Sequence, residues 1–346
     1  MKLSNYLIPW YLQNKRDLPW RTTTNPYNIW LSEIILQQTR VDQGISYYYK
    51  FIENFPTVRD LALASEEEVL KLWQGLGYYS RARNLHFSAQ YIVNELQNIF
   101  PTSYNELIKL KGVGDYTASA IASICYNEPT AVVDGNVYRV LARYYGICTP
   151  INSSKGVKEF KQLAQSLIDT NEPGTYNQAI MEFGATMCKP QSPDCNSCPL
   201  NTSCVALSKN QTKELPIKEK KIKIRNRYFN YLVIKTDDNK TMLVKREKGV
   251  WLNLYEFLLI ETSNLIDENQ LIEHSIFNSA LKKMSVTLKL FNKEVIVHKL
   301  SHQHIHTKFW IVNTPASEDF QIPWETVHKY PVSTLIDNFL NQYKIH

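Results

Sequence analysis

The sequence predicts a multidomain protein, an all-helical domain followed by a smaller α+β domain, and three observations predict it. At 346 residues the chain is longer than one ordinary domain and can bury two cores. Its first two hundred residues read as helix after helix, broken by proline and glycine turns. Beyond a basic stretch the texture changes to β-rich runs mixed with helices. The expected boundaries are 1–208 for the helical domain, 209–227 for a basic linker and 228–346 for the mixed domain. No apolar run approaches the ~18 residues that a membrane helix needs, so no membrane partner is expected.

Along the chain, Tyr6 to Gln13 predicts a short amphipathic helix that the run Arg16 to Arg21 (RDLPWR) breaks. Asn25-Pro26 marks a turn, and one long helix is expected from about Tyr27 through Glu53, its first turns (IWLSEIIL) apolar nearly all round. Further helices are expected at Glu66 to Leu76, Ser80 to Leu96 and Tyr104 to Leu110. Gly112-Val113-Gly114 interrupts, helices follow at Asp115 to Cys125 and Val137 to Tyr145, and two more lead up to Cys188. Past the linker, Tyr228 to Lys235 and Thr241 to Lys245 are strand-like runs separated by Asp237-Asp238-Asn239, a hairpin signal. Val286 to His298 and Lys308 to Val312 predict further strands.

Four cysteines, Cys188, Cys195, Cys198 and Cys204, close a seventeen-residue loop with six, two and five residues between them. Clustered thiolates in so short a loop ligate zinc or anchor an iron–sulfur cluster, and ligand type alone does not choose between them. Two disulfides are the weaker alternative, because the opening MKLSNYLIPW lacks the apolar core of a secretion signal. Net charge is +6, and between Lys209 and Arg227 eight Lys or Arg against two Glu account for all of it. That is a solvated linker or an attraction for an anionic partner. Any nucleic acid would have to be gripped by local patches and backbone amides.

Glu33 lies among Trp30, Ile34, Ile35 and Leu36 with no cation three or four positions away. Desolvation should raise its pKa and leave a usable general acid near neutral pH, unless it faces solvent. Asp134 precedes Gly135-Asn136 and opens an amphipathic helix, an N-cap position where amide donors and the helix dipole favour an ionised carboxylate. A neutral Glu and an ionised Asp are the pair that glycosidic-bond cleavage asks for, but each also has a plain structural reading. Gly112 and Gly114 suit a helix-hairpin-helix whose amides bind one DNA phosphate, or a simple interhelical turn.

In order, Arg16 to Arg21 (RDLPWR), Ser32 to Val41 (SEIILQQTRV), Gly75 to His86 (GLGYYSRARNLH), Lys111 to Thr117 (KGVGDYT), Val133 to Val140 (VDGNVYRV) and the cysteine loop resemble the helix-hairpin-helix DNA glycosylases of the endonuclease III superfamily. Within it the chain is most similar to the adenine-DNA glycosylase, or MutY, family, over essentially its whole length. The resemblance implies excision of a flipped-out adenine mispaired with 8-oxoguanine or guanine in duplex DNA, by base excision repair. It implies Glu33 as general acid at adenine N7, Asp134 as stabiliser of the sugar cation or its covalent intermediate, and Tyr116 and Asn136 as supports of that site. Arg21 and Trp20 match residues lining the adenine pocket. Gln38 and Tyr78 match residues inserted around the opposing base, with Leu36, Gln37, Thr39 and Arg40 in the same DNA-reading segment. The four cysteines are then expected to carry a [4Fe-4S] cluster.

Endonuclease III carries a lysine where Tyr116 stands, so the resemblance implies a monofunctional glycosylase rather than a lyase. The second domain resembles the family's Nudix-like recognition domain for 8-oxoguanine. An acidic metal-binding box is not evident after Trp251 to Phe257. The family's Phe-Ser-His triplet is Leu300-Ser301-His302 here, which leaves Ser301 and His302 for the damaged base. His302, His304 and His306 are spaced as for a metal on one strand face, but basic side chains beside DNA explain them as well. A monomer in a bacterial cytoplasm is expected.

Overall fold

In the computed structural model the described residues are 2–219, 224–281 and 284–343. Residues 220–223 of the expected linker lie outside them. The helices to the end of the cysteine loop are α1 (Ser4–Asn14), α2 (Pro26–Leu36), α3 (Val41–Asn54), α4 (Val58–Leu63), α5 (Glu66–Leu72), α6 (Ser80–Asn94), α7 (Tyr104–Leu107), α8 (Asp115–Tyr126), α9 (Gly135–Tyr145), α10 (Ser154–Leu167), α11 (Pro173–Thr186) and α12 (Val205–Ser208). By its contacts the chain divides into two units, Met1–Ala64 with Arg81–Lys220 and Ser65–Ser80 with Lys221–His346.

In the first unit α11 is the central helix, packed against α1, α8 and α9, while α2 packs on α8. Its core gathers Leu7, Val140, Leu141, Phe160, Tyr176, Ile180 and Phe183, from α1, α9, α10 and α11. The side chains follow the 3.6-residue period that brings i, i+3 and i+4 to one face. Asn25 accepts from the amides of Tyr27 (2.9 Å) and Asn28 (3.3 Å), and Pro26 takes the first helical position, where its missing N–H costs nothing.

The single helix expected from Tyr27 through Glu53 is in fact two. Gln38 adopts a left-handed φ of 57°, and the Arg81 guanidinium takes the carbonyls of Ile34 and Ile35 that a continuing helix would have used. Gly112 turns between α7 and α8 at φ 84°, and a Cβ there would meet the Cβ of Asn84 at 2.7 Å. Only glycine combines that φ with that clearance.

The second unit is built on a sheet. Its strands are β1 (Arg225–Thr236), β2 (Lys240–Thr241), β3 (Val244–Lys245), β4 (Tyr255–Glu256), β5 (Leu258–Thr262), β6 (Thr287–Leu290), β7 (Ile296–Lys299), β8 (Gln303–Thr314) and β9 (Ile322–Pro323), with helices α13 (Glu268–Glu273), α14 (Ser275–Leu281) and α15 (Thr334–Gln342). Among the described residues the main sheet runs β5-β1-β8-β6, with β7 pairing the first part of β8. The long strands β1 and β8 are parallel, Arg225 opposite Gln303 and Thr236 opposite Thr314. Leu232, Ile234, Ile260, Trp310 and Val312 pack with Leu271, Phe277 and Leu281 of α13 and α14.

The expected hairpin at Asp237 to Asn239 does not form. A turn closes there, with the Asn239 amide on the Thr236 carbonyl at 2.9 Å, but β2 then pairs with β9 and β3 with β4. The partners of β1 are β8, which pairs along its whole length, and β5, which pairs along Tyr228 to Leu232, so that its buried run of Phe229 to Ile234 is flanked on both sides over most of its length. The run Val286 to His298 is likewise two strands, β6 and β7, laid end to end along β8.

Candidate active site

In the first unit three side chains meet that the sequence spreads over a hundred residues. Glu33 sits on the buried side of α2. Burial raises its carboxyl to about 7, against the lowering effect of a hydrogen bond from Tyr116, and nearby Asp134 adds to the rise. The Tyr116 hydroxyl, on α8, also lies 3.1 Å from the Met181 Sδ on α11. Its own ionisation is pushed up by burial and by the charges of Glu33 and Asp134. The carboxyls and the hydroxyl therefore form one electrostatic group.

Asp134 caps α9. Its Oδ1 accepts from the amides of Asn136 (2.9 Å) and Val137 (2.8 Å), and its Oδ2 accepts from the Asn136 side-chain amide at 2.7 Å. Sequence reasoning expects such a carboxyl to be held ionised, yet burial raises it from its ordinary value and outweighs these donors and Arg139. The two carboxyls still differ in kind. Glu33 has a lone hydroxyl working against burial, whereas Asp134 has three donors, a cation and a helix N-terminus. Asn136 is fixed from behind, since a Cβ on Gly184 would stand 2.6 Å from the Asn136 Cβ. Arg139 then donates to the Asn136 Oδ1 (2.9 Å), the Gly184 carbonyl (2.6 Å) and the Cys188 carbonyl (2.7 Å).

The expected DNA-reading segment forms the turn between α2 and α3. Leu36, Gln37 and Thr39 are half-buried there, while Gln38 and Arg40 are exposed. Buried Arg81 holds this turn. Its Nη1 donates to the carbonyls of Ile34 (3.1 Å), Ile35 (2.7 Å) and Gln37 (2.6 Å) and to the Thr39 hydroxyl (3.2 Å). The Gln37 side-chain amide reaches the hairpin, donating to the Gly112 carbonyl (3.4 Å) and the Thr117 hydroxyl (3.3 Å). Gly114 is the N-cap of α8 and is exposed.

Arg21 and Trp20 part company. Trp20 is buried against Tyr48 in an edge-to-face contact at 5.3 Å. Arg21 pairs with buried Glu182 at 2.6 Å, which Arg16 also grips through two bonds of 2.8 Å. Burial alone would raise Glu182, but the two guanidiniums overrule it and bring it to about 2. Glu182, Met181, Arg81 and Arg139 are positioned beside the expected site residues and escaped sequence reasoning. Only the apolar neighbours of Glu182 within α11 hinted at its burial.

The four cysteines are free of disulfides and line one small cavity together with Arg143, Met187 and Leu207. The buried Arg143 guanidinium reaches the Cys188 Sγ at 3.4 Å and the carbonyls of Lys189 and Pro190, tying the loop to α9. Among the described residues no group of three or more His, Cys, Asp or Glu is gathered tightly enough to hold a single metal ion, the histidines of β8 included. His306 instead stacks on Tyr228 at 4.9 Å.

In the second unit Tyr78 and Ser301 meet, their hydroxyls 2.8 Å apart, and His302, next to Ser301 in the chain, is exposed, its carbonyl accepting from the Arg225 amide. Among the described residues no helix is long and apolar enough to cross a membrane.

Residues 31–169 match the family described as HhH-GPD superfamily base excision DNA repair protein. The adenine DNA glycosylase of Buchnera aphidicola subsp. Schizaphis graminum is 34% identical over 321 residues, covering 92% of this chain and 89% of that protein. A solved thermostable thymine-DNA glycosylase is similar at 28% identity and a TM-score of 0.55, covering 59% of this chain and 94% of that one. A non-covalent endonuclease III–DNA complex shares the fold, at 24% identity, a TM-score of 0.51, and coverage of 60% of this chain and 94% of that one. The 34% identity to the Buchnera protein along nine-tenths of both sequences places the chain, a DNA glycosylase of base excision repair, in the adenine DNA glycosylase family.

Proposed function

We propose that the enzyme excises adenine mispaired with 8-oxoguanine or guanine in duplex DNA by hydrolysing the N-glycosidic bond, without cutting the strand. The observation that carries this reading is the meeting of Glu33, Tyr116 and Asp134, with Glu33 near 7 and Asp134 on the N-terminus of α9. Glu33 gives its proton to N7 of the flipped adenine, so the base leaves neutral. Positive charge builds on the sugar, and Asp134 stabilises that oxocarbenium ion or takes it as a transient covalent intermediate. Water completes the hydrolysis. Tyr116 supports both carboxyls, and Asn136 orients Asp134.

Gln38 and Tyr78 enter the duplex around the opposing base, and Arg21 and Trp20 serve the adenine pocket. Leu36, Gln37, Thr39 and Arg40 contact the strand, and the Gly112–Gly114 hairpin takes a phosphate. The second unit is a Nudix-like recognition domain that reads 8-oxoguanine through Ser301 and His302. The chain acts as a cytoplasmic monomer, with 1–208, 209–227 and 228–346 as its proposed functional divisions, while by contacts Ser65–Ser80 group with the sheet unit and β1 begins at Arg225.

Cys188, Cys195, Cys198 and Cys204 fit a [4Fe-4S] cluster, being reduced thiols around a single cavity with Arg143 supplying compensating charge. When bound, the cluster supplies ligand bonds that fix a loop too short for its own core. Arg139 and Arg143 then carry the loop's position to Asn136 and α9.

A bifunctional lyase is the competing reading. It needs an amine near Tyr116, and Lys111 instead lies over the Phe87 ring, 4.4 Å from its centroid. Single-turnover excision on a duplex with one 8-oxoguanine:adenine pair decides between them. Strand breaks only after alkali are expected, breaks without alkali would establish a lyase, and no breaks at all would remove the excision activity.

A further inference from the structure

The main sheet of the second unit is covered on one face only along the later part of its long strands. Side chains two apart on a strand share a face, and so do the residues paired with them. On that face Leu232 and Ile234 of β1 and Trp310 and Val312 of β8 pack with the apolar residues of α13 and α14. The same alternation leads back to Asn226 and Tyr228 on β1 and to His304 and His306 on β8, which pair with Lys299 and Val297 of β7. Asn226, Val297 and Lys299 are exposed there, and Tyr228, His304 and His306 are half-buried. Lys308 closes the covered part, its ammonium on the Ile266 carbonyl at 2.6 Å and 5.5 Å from the centroid of the Trp310 ring.

The open stretch carries cations and no carboxylate. Over 225–230, 296–299 and 303–308 the three strands contain no Asp or Glu. Glu261, on neighbouring β5, stands opposite Phe229 and so on the other face, where the Arg227 guanidinium takes it with bonds of 2.7 and 2.6 Å. The Asn226 Oδ1 lies 3.1 Å from the His306 Nε2, and with the Tyr228 stack it fixes that imidazole in place. The Lys299 ammonium and the His304 ring have no partner among the described residues. Charge on this face is therefore left for something outside the chain.

The face adjoins the proposed recognition loop. Leu300-Ser301-His302 joins β7 to β8, closed by the Leu300 amide on the Gln303 carbonyl at 2.9 Å, so Lys299 and His304 stand directly on either side of it. A duplex that meets the loop brings a dense row of phosphates beside the face. Val297 is the lone aliphatic side chain among the six, too little for the apolar core of a protein interface. We infer that this face of β1, β7 and β8 grips DNA backbone flanking the mispair, with Lys299, His304 and His306 holding phosphates of the strand that the Ser301–His302 loop meets. The inference rests on the proposed meeting of that loop with the duplex, and adds a contact that carries affinity without reading a base. It also gives His304 and His306 an employment other than a metal.

The test measures the affinity of the full chain, across salt concentrations, for a duplex holding 8-oxoguanine opposite an uncleavable 2′-fluoro adenosine. One phosphate contact fewer releases one counterion fewer, so Lys299→Gln lowers the slope of log affinity on log salt by about 0.9 and weakens binding about eightfold at about 0.1 M salt. Lys299→Arg keeps both at the parent's values, and His304→Gln added to Lys299→Gln weakens binding further. Lys289→Gln removes the same charge from β6, opposite Ile311 and so on the other face, and leaves the slope unchanged. Single-turnover excision at saturating enzyme, and its 8-oxoguanine:guanine rate ratio, stay at the parent's values in Lys299→Gln. Trimming the duplex on one side of the mispair removes the parent's advantage over that variant. Equal slopes for the parent and Lys299→Gln, or an equal fall in Lys289→Gln, overturn the inference, and the loop's reading still stands where Ser301→Ala lowers the rate ratio. An advantage that survives trimming on either side overturns it as well. A parent without preference between the mispairs, matched by Ser301→Ala, overturns the reading on which the inference rests.

Discussion

The chemistry turns on the proton of Glu33. Its carboxyl lies near 7 because burial penalises the charge more than the Tyr116 hydroxyl favours it. A general acid works only while protonated, so excision should decline as pH rises through about 7. Asp134 must be ionised, and burial raises its carboxyl, so the rate should also fall toward acid pH. Single-turnover rates against pH are expected to give a bell whose alkaline limb titrates near 7. Glu33→Gln removes the proton donor while keeping the shape. Excision should drop at least ~100-fold with mispair affinity kept, and a rate near the parent's would remove Glu33 from the acid's role. Both carboxyls were legible in sequence, one from its apolar neighbours and one from its place before Gly135-Asn136. Their meeting was not, because Glu33 on α2 and Asp134 at the N-cap of α9 are a hundred residues apart in the chain and come together only when it folds. Glu182 was illegible for the same reason, as its partner Arg16 is 166 positions away.

At the level of elements, the turn between α2 and α3 depends on Arg81 of α6. Its Nη1 gathers three carbonyls and a hydroxyl, among them the buried Ile35 carbonyl that the end of α2 leaves open. Arg81→Met keeps the bulk and removes those bonds. It should cost on the order of 3 kcal/mol of stability, since a buried hydrogen-bonded charge is lost and its acceptors are left unpaired. It should also weaken DNA binding by freeing Gln37 from the hairpin. Denaturant unfolding and a titration of mispaired duplex check the two arms, and unchanged affinity would detach the turn from the DNA-reading role. The sequence located the apolar stretch but fused α2 with α3. The break is imposed by a side chain forty positions on, with no glycine or proline at the turn to mark it. The hairpin at Asp237 to Asn239 misled in the opposite way, because a valid local turn signal says nothing about which strand offers the longer buried partner.

Across the whole molecule, the order of helices, cysteine loop and sheet was readable because each follows from local periodicity and composition. The inclusion of Ser65–Ser80 with the sheet unit was not, since α5 has an ordinary helical sequence whose Ser65–Glu68 capping box marks where it starts but not what it packs on. The cysteine loop tests how far the chain's local order depends on a bound group. Four reduced thiols around one cavity, with Arg143 donating to one sulfur, leave the loop without a core of its own. Protein purified without oxygen should therefore contain about four irons with matching sulfide and a broad visible absorbance. Cys198→Ser should lose the iron and let protease cut within residues 188–204, because the packing of Leu200 and three of the cysteines against the first unit's core leaves the rest of that segment to the ligand bonds. Through Arg139 the loosened loop should disturb Asn136 and α9, so DNA affinity falls along with excision. A single zinc per chain would instead establish a tetrahedral site. Iron-free protein with full protease resistance would show that Arg143 and the loop's own hydrogen bonds suffice.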